Sequence, residues 1–92
     1  MVPKRLRIAR ELADMSQEEL AIAASISEET GYSRMSHYES GRHKPKFELV
    51  CRFAEVLNVP EGYFYTRDDS FADAMLKLYG GKRVQWKKVR LS

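Results

Sequence analysis

Apolar residues recur at helical intervals along most of the chain, and Ser, Gly, Asn and Pro cut the pattern into short blocks. Val2, Leu6, Ala9 and Ala13 form the inward stripe of a first helix, Pro3 to about Ala13. Arg10 lies on the same stripe, where a cation is costly unless paired. Ser16 and Glu19 have the spacing of a capping box, which predicts a second helix from Gln17 to about Ala24 carrying Leu20, Ala21 and Ala24. After a break around Ser25–Ser27, a third helix starts between Ser27 and Tyr32 and ends at Ser40, with Gly41 as its left-handed C-terminal residue. Near its end the only large apolar residues are Met35 and Tyr38. A fourth helix, Phe47 to Leu57, turns Val50, Phe53, Ala54 and Leu57 inward and Arg52 and Glu55 outward, and Asn58 closes it. Pro60 suits the first turn of a short fifth helix, Glu61 to Tyr65.

Ser70 and Asp73 repeat the capping-box spacing and predict the start of a sixth helix, which Gly80-Gly81 is expected to stop. Phe71, Met75 and Leu78 make one apolar stripe of it, and Ala72, Leu76 and Tyr79 make another. A helix apolar on most of its circumference needs cover on two sides. One side can be the domain's own core, and the other is a candidate dimer surface together with Tyr63, Phe64 and Tyr65 of the fifth helix. In the last segment Val84 and Trp86 alternate with cations. An extended arm, an added strand and a disordered tail all fit that pattern.

The third helix carries the most chemistry. With Met35 and Tyr38 inward, the opposite side holds Ser33 and His37, with Thr30, Ser36 and Ser40 near it and Arg34 at the flank. Short hydroxyl and imidazole groups can donate to or accept from base edges, and Arg34 suits either guanine O6 and N7 or a phosphate. The same residues would also make an ordinary solvated helix face. Gly41-Arg42-His43-Lys44-Pro45-Lys46 follows at once, and its cations suit phosphates. Lys4, Arg5 and Arg7 are further phosphate candidates.

Ser16-Gln17-Glu18-Glu19-Leu20-Ala21, Ile26, Met35-Ser36-His37-Tyr38-Glu39-Ser40-Gly41, Pro45 and Leu49 to Pro60 together resemble the helix-turn-helix of the phage repressor/Cro family, also called the XRE family. The resemblance covers roughly Lys4 to Tyr65. It departs from the family in having about four extra residues between Ile26 and Met35, within Ser27–Ser33. It implies an all-α fold: a five-helix repressor/Cro-like bundle with an added C-terminal helix and basic tail. It also implies that Arg10 and Glu39 pair, tying the third helix to the first. The base-reading candidates are then Thr30, Tyr32, Ser33, Arg34, Ser36 and His37, although Tyr32 stands equally well packed on the turn. Gln17, Arg42, His43, Lys44 and Lys46 are the phosphate-binding candidates, with Gln17 at a helix N-terminus that offers free N–H groups.

Composition narrows the alternatives. The 92 residues allow one small domain, expected as a helix-turn-helix unit over 1–66 and a C-terminal dimerisation extension over 67–92. A hydrophobic share of 43% with 32% charged residues describes a soluble globular protein. No apolar run suggests a membrane span or a leader, so a cytoplasmic, nucleoid-associated protein is expected. The net charge of +3 is segregated: Glu11 to Glu29 carries only acids, whereas Arg34 to Lys46 and Lys82 to Arg90 are strongly basic. Cys51 is the only cysteine, which excludes an internal disulfide, and it reads as a small hydrophobe. No His/Cys/Asp set has metal-ligand spacing, and neither a cofactor nor an enzymatic activity is expected. The expected function is sequence-specific binding of double-stranded DNA by a homodimer on a palindromic operator, in a repressor-like role. The rival is a protein-interaction module, such as an antitoxin or a restriction–modification controller protein, whose C-terminal helix binds a partner.

Overall fold

Local chemistry sets where each helix begins and ends. The computed structural model describes the backbone of residues 1–26 and 28–91, and the side chains of residues 1–26 and 33–80. Helix α1 spans Pro3–Leu12, α2 Gln17–Ala23, α3 Glu28–Ser40 and α4 Phe47–Leu57; a 3-10 helix follows at Glu61–Tyr65, and α5 runs over Asp69–Leu91. Among the described residues there is no strand. At the start of α2 the Ser16 hydroxyl accepts from Glu19 N–H at 3.0 Å, and Ser16 N–H donates back to Glu19 at 2.8 Å. Asn58 closes α4 in the left-handed region, at φ 64°.

Gly41 ends α3 at φ 82°, and an added Cβ there would come within 3.1 Å of Pro3 Cγ. The positive φ therefore favours glycine, and a side chain there would also press on Pro3 of α1. Between α2 and α3 the chain turns through Ser25 at φ 64°, and Ile26 N–H donates to Ala21 at 2.8 Å. Ile26 is thereby folded under the turn and buried. The extra residues noted in Ser27–Ser33 are taken up largely as helix, since α3 begins at Glu28.

The core joins every element. Leu6 and Ala9 meet Leu20, Ala21 and Ala24 of α2, and Met35 and Tyr38 of α3. Leu49, Val50, Phe53, Ala54 and Leu57 of α4 lie beneath them. Fully burying each large apolar side chain contributes roughly 1.5–3 kcal/mol. Tyr38 meets Phe53 edge-on at 6.3 Å between centroids. Cys51 is half-buried, and desolvation pushes its thiol above the usual range.

Several expectations are corrected. Ala13 is exposed, because α1 stops at Leu12 and Ala13 caps it. The sixth helix starts at Asp69, one residue earlier than Ser70, and Asp68 is its cap: the Asp68 carboxylate accepts from Phe71 N–H at 2.8 Å. Gly80-Gly81 does not stop this helix, which continues to Leu91 in place of an arm or strand. Each glycine costs a helix only about 1 kcal/mol, and the Lys, Arg, Gln and Leu residues that follow favour it. Tyr63 and Phe64 leave no surface for a partner: both are fully buried in the domain's own core, 5.6 Å apart as an edge-to-face pair.

Arg5 is corrected most sharply. It is no phosphate ligand, being only 2% exposed. Its Nε donates to the Thr66 carbonyl at 3.0 Å, and its Nη2 to the Arg67 carbonyl at 3.1 Å and the Asp69 carboxylate at 2.7 Å. The guanidinium also lies over the Tyr63 ring at 5.7 Å. Lys4 joins Asp69 at 2.8 Å from the surface. Helix α5 is therefore bolted to α1, and Ala72 is buried in the shared core, with Leu76 packed against it.

Candidate nucleic-acid interface

Helix α3 is positioned by its two apolar anchors. Met35 and Tyr38 are buried, so the side of the helix away from them faces outward. On it Ser33, Arg34 and Ser40 are exposed, and Ser36 and His37 are half-buried. Thr30 and Tyr32 lie outside the residues whose side chains are described.

A buried ion pair fixes the end of this helix. Arg10 Nε donates to Glu39 Oε2 at 2.6 Å and Nη2 to Glu39 Oε1 at 3.0 Å, a two-pronged geometry that suits a planar guanidinium. The two side chains are 13% and 6% exposed. The hydrogen bond to Glu39 raises the Arg10 pKa, against the effect of desolvation. Arg10 Nη1 also donates to the Met15 carbonyl at 2.9 Å, which holds the loop before α2. Gln17, expected at a phosphate, donates its amide to Glu39 Oε1 at 3.0 Å. That bond uses one of its two amide hydrogens and joins the start of α2 to the end of α3. Arg7, Arg10, Gln17, Ser36, Glu39 and Ser40 line the shallow hollow between these helices.

The basic loop folds back on the end of α3. His43 N–H donates to the His37 carbonyl at 3.2 Å, and the two imidazoles meet edge-on at 4.8 Å between centroids. His37 therefore sits at the seam between the outward face of α3 and the loop. Arg34, His37, Tyr38, His43 and Lys44 line one hollow there. An adjoining hollow is lined by Arg34, Tyr38 and Lys44 again, with Lys46, Glu48, Leu49 and Arg52. Arg42, His43, Lys44 and Lys46 are all exposed. The two hollows thus bring the cations Arg34, Lys44 and Lys46 onto one continuous rim, with His37 beside them and Glu48 the acid among the lining residues. Arg52 extends it and was read from the sequence only as an outward residue. Following the 42–46 cluster onto the exposed side of the next helix would have found it. Among the described residues no group of His, Cys, Asp and Glu could hold a metal ion.

A polar helix face bounded by cations, on a helix pinned behind a short turn, is the geometry by which a protein meets duplex DNA. The model of the helix-turn-helix domain family matches residues 4–62. The chain belongs to this helix-turn-helix family, of the XRE type. The crystal structure of the transcriptional regulator BswR is similar over 100% of this chain and 95% of that one, with a TM-score of 0.84 and 30% sequence identity. The family model ends before α5, whereas the likeness to BswR extends over it. No curated protein is a significant match. Among the described residues no helix is long and apolar enough to cross a membrane.

Proposed function

We propose that this helix-turn-helix protein is a sequence-specific, double-stranded-DNA-binding transcriptional regulator that acts as a homodimer on a palindromic operator, in a repressor-like role. The observation that carries the reading is the outward face of α3, with Ser33 and Arg34 exposed beside the rim of Arg42, His43, Lys44 and Lys46. In this reading Ser33, Arg34, Ser36 and His37 meet base edges from the major groove, with Thr30 and Tyr32 entering ahead of them. The loop cations grip the flanking phosphates, joined by Arg52. Residues 67–92 serve as the dimerisation extension.

Selection of bound sequences from a random duplex pool tests this. The expected result is a palindromic consensus with half-site centres one helical turn, about 34–36 Å, apart. No enrichment over the starting pool would overturn it. With the consensus in hand, Lys44→Ala should weaken binding to all sequences and lower the salt slope by about one. Ser33→Ala should cost about 1–3 kcal/mol on the preferred site and little on random DNA.

A further inference from the structure

We propose that DNA binding by this protein is coupled to proton uptake at His37, which stands edge-on against His43, so that affinity rises as pH falls through the neutral range. The proposal rests on the DNA-binding reading above and adds a regulation of the same surface. Its basis is the placement of two imidazoles, 4.8 Å apart, in a hollow whose other lining residues are Arg34, Tyr38 and Lys44. The hydrogen bond from His43 N–H to the His37 carbonyl keeps them together. Among the described residues no acid lines this hollow; Glu48 lies in the adjoining one, beside Lys46 and Arg52. Among the described residues the charged groups facing the pair are Arg34 from α3 and Lys44 from the loop, with Arg42 acting on His37 through its field.

Like charges this close disfavour protonation in the free protein. Partial desolvation, then the positive fields of Arg42 and His43, hold the His37 imidazole below its ordinary value. A phosphate drawn into the hollow reverses the field. It supplies the negative charge that the free protein lacks there, and in that field a His37 imidazolium donating to a base-edge acceptor is stabilised. The bound-state pKa then exceeds the free-state one. Binding takes up protons, so affinity increases as pH falls through the bound value and levels off below the free value. Each unit of upward shift is worth about tenfold in affinity.

The test is fluorescence anisotropy on a random-sequence duplex from about pH 8 to about pH 5.5, a window chosen to bracket imidazole titration. Wild type and His37→Gln/His43→Gln are compared at constant salt in phosphate-free buffers. The wild type should tighten by about tenfold or more across this range, and the double variant should give a much flatter profile. Proton NMR of the wild-type imidazole resonances, with and without the duplex, reads the upward shift directly and needs no variant. Equal pH profiles in the two proteins, or imidazole titrations unmoved by the duplex, would overturn the coupling while leaving DNA binding intact. Failure of the wild type to bind any duplex at any pH would overturn the DNA-binding reading itself.

Discussion

Glu39 accepts three hydrogen bonds from two residues with its two oxygens. It accepts from Arg10 at both, and from Gln17 at Oε1, so α1, α2 and α3 converge on one carboxylate. Breaking a buried pair leaves an uncompensated charge, so Arg10→Ala or Glu39→Ala should each lose about 3–5 kcal/mol in urea denaturation. The double variant should recover part of that loss, because no lone ion remains. Strict additivity of the two single losses would count against the pair as a unit. The pairing was expected from the family resemblance, and Arg10 announced itself as a cation on an apolar stripe. Gln17 was harder to place. An amide at a helix start suits a phosphate as well as a carboxylate, and nothing local to residue 17 points to residue 39.

At the level of elements, helices with strong caps and clean stripes were legible, and the connection of α5 to the rest was not. The fourth helix, expected from about Phe47 to Leu57, spans Phe47–Leu57 because its apolar positions hold one face and Asn58 takes a left-handed turn. Arg5 misled for the opposite reason. It stands in a run with Lys4 and Arg7, and only tertiary structure brings the Thr66 and Arg67 carbonyls and Asp69 to it. The Gly80-Gly81 signal misled because a modest propensity cost was read as a stop. The clamp itself is testable. Arg5→Met keeps the apolar stem but removes the donors, and should cost about 3 kcal/mol or more, since hydrogen bonds to charged groups are worth about 1.5–3 each. Hydrogen exchange should accelerate first at Phe71 and Ala72, while amides of α2 keep their protection. Uniform acceleration through the whole domain would show that Arg5 does not act locally on α5. Hydrogen bonds from Lys4, then Arg5, hold the Asp69 carboxyl below its usual range. This contribution is present at neutral pH, and is lost only as pH falls below about 4 and through the folded-state value.

Helix α5 has an outer side that its packing on the core leaves uncovered by the described residues. Ala72 and Leu76 face the core, and Met75 is half-buried, its sulfur accepting from the Thr66 hydroxyl at 3.2 Å. Phe71 and Leu78 are 61% and 73% exposed, seven residues apart on the outer side. That spacing is two helical turns, about 10.5 Å, enough for a matching pair from a second copy to interlock across a two-fold axis. With Tyr63 and Phe64 spent on the core, this outer side is the surface we assign to dimerisation, Tyr79 lying half-buried at its edge. Two copies joined there would each present α3 and its cationic rim, and a palindrome would be bound by both at once. Phe71→Lys/Leu78→Lys changes only exposed side chains, so circular dichroism and thermal stability should stay close to wild type. Sedimentation should report a dimer for the wild type and a monomer for this variant. Operator affinity should fall by about two orders of magnitude or more, because avidity between linked sites commonly supplies about 10²–10⁴. Binding to a single half-site should be retained. A double variant that still sediments as a dimer would move the interface off α5. A wild type that sediments as a monomer, yet forms a one-to-one complex with another protein through Phe71 and Leu78, would favour the interaction-module reading over the homodimer.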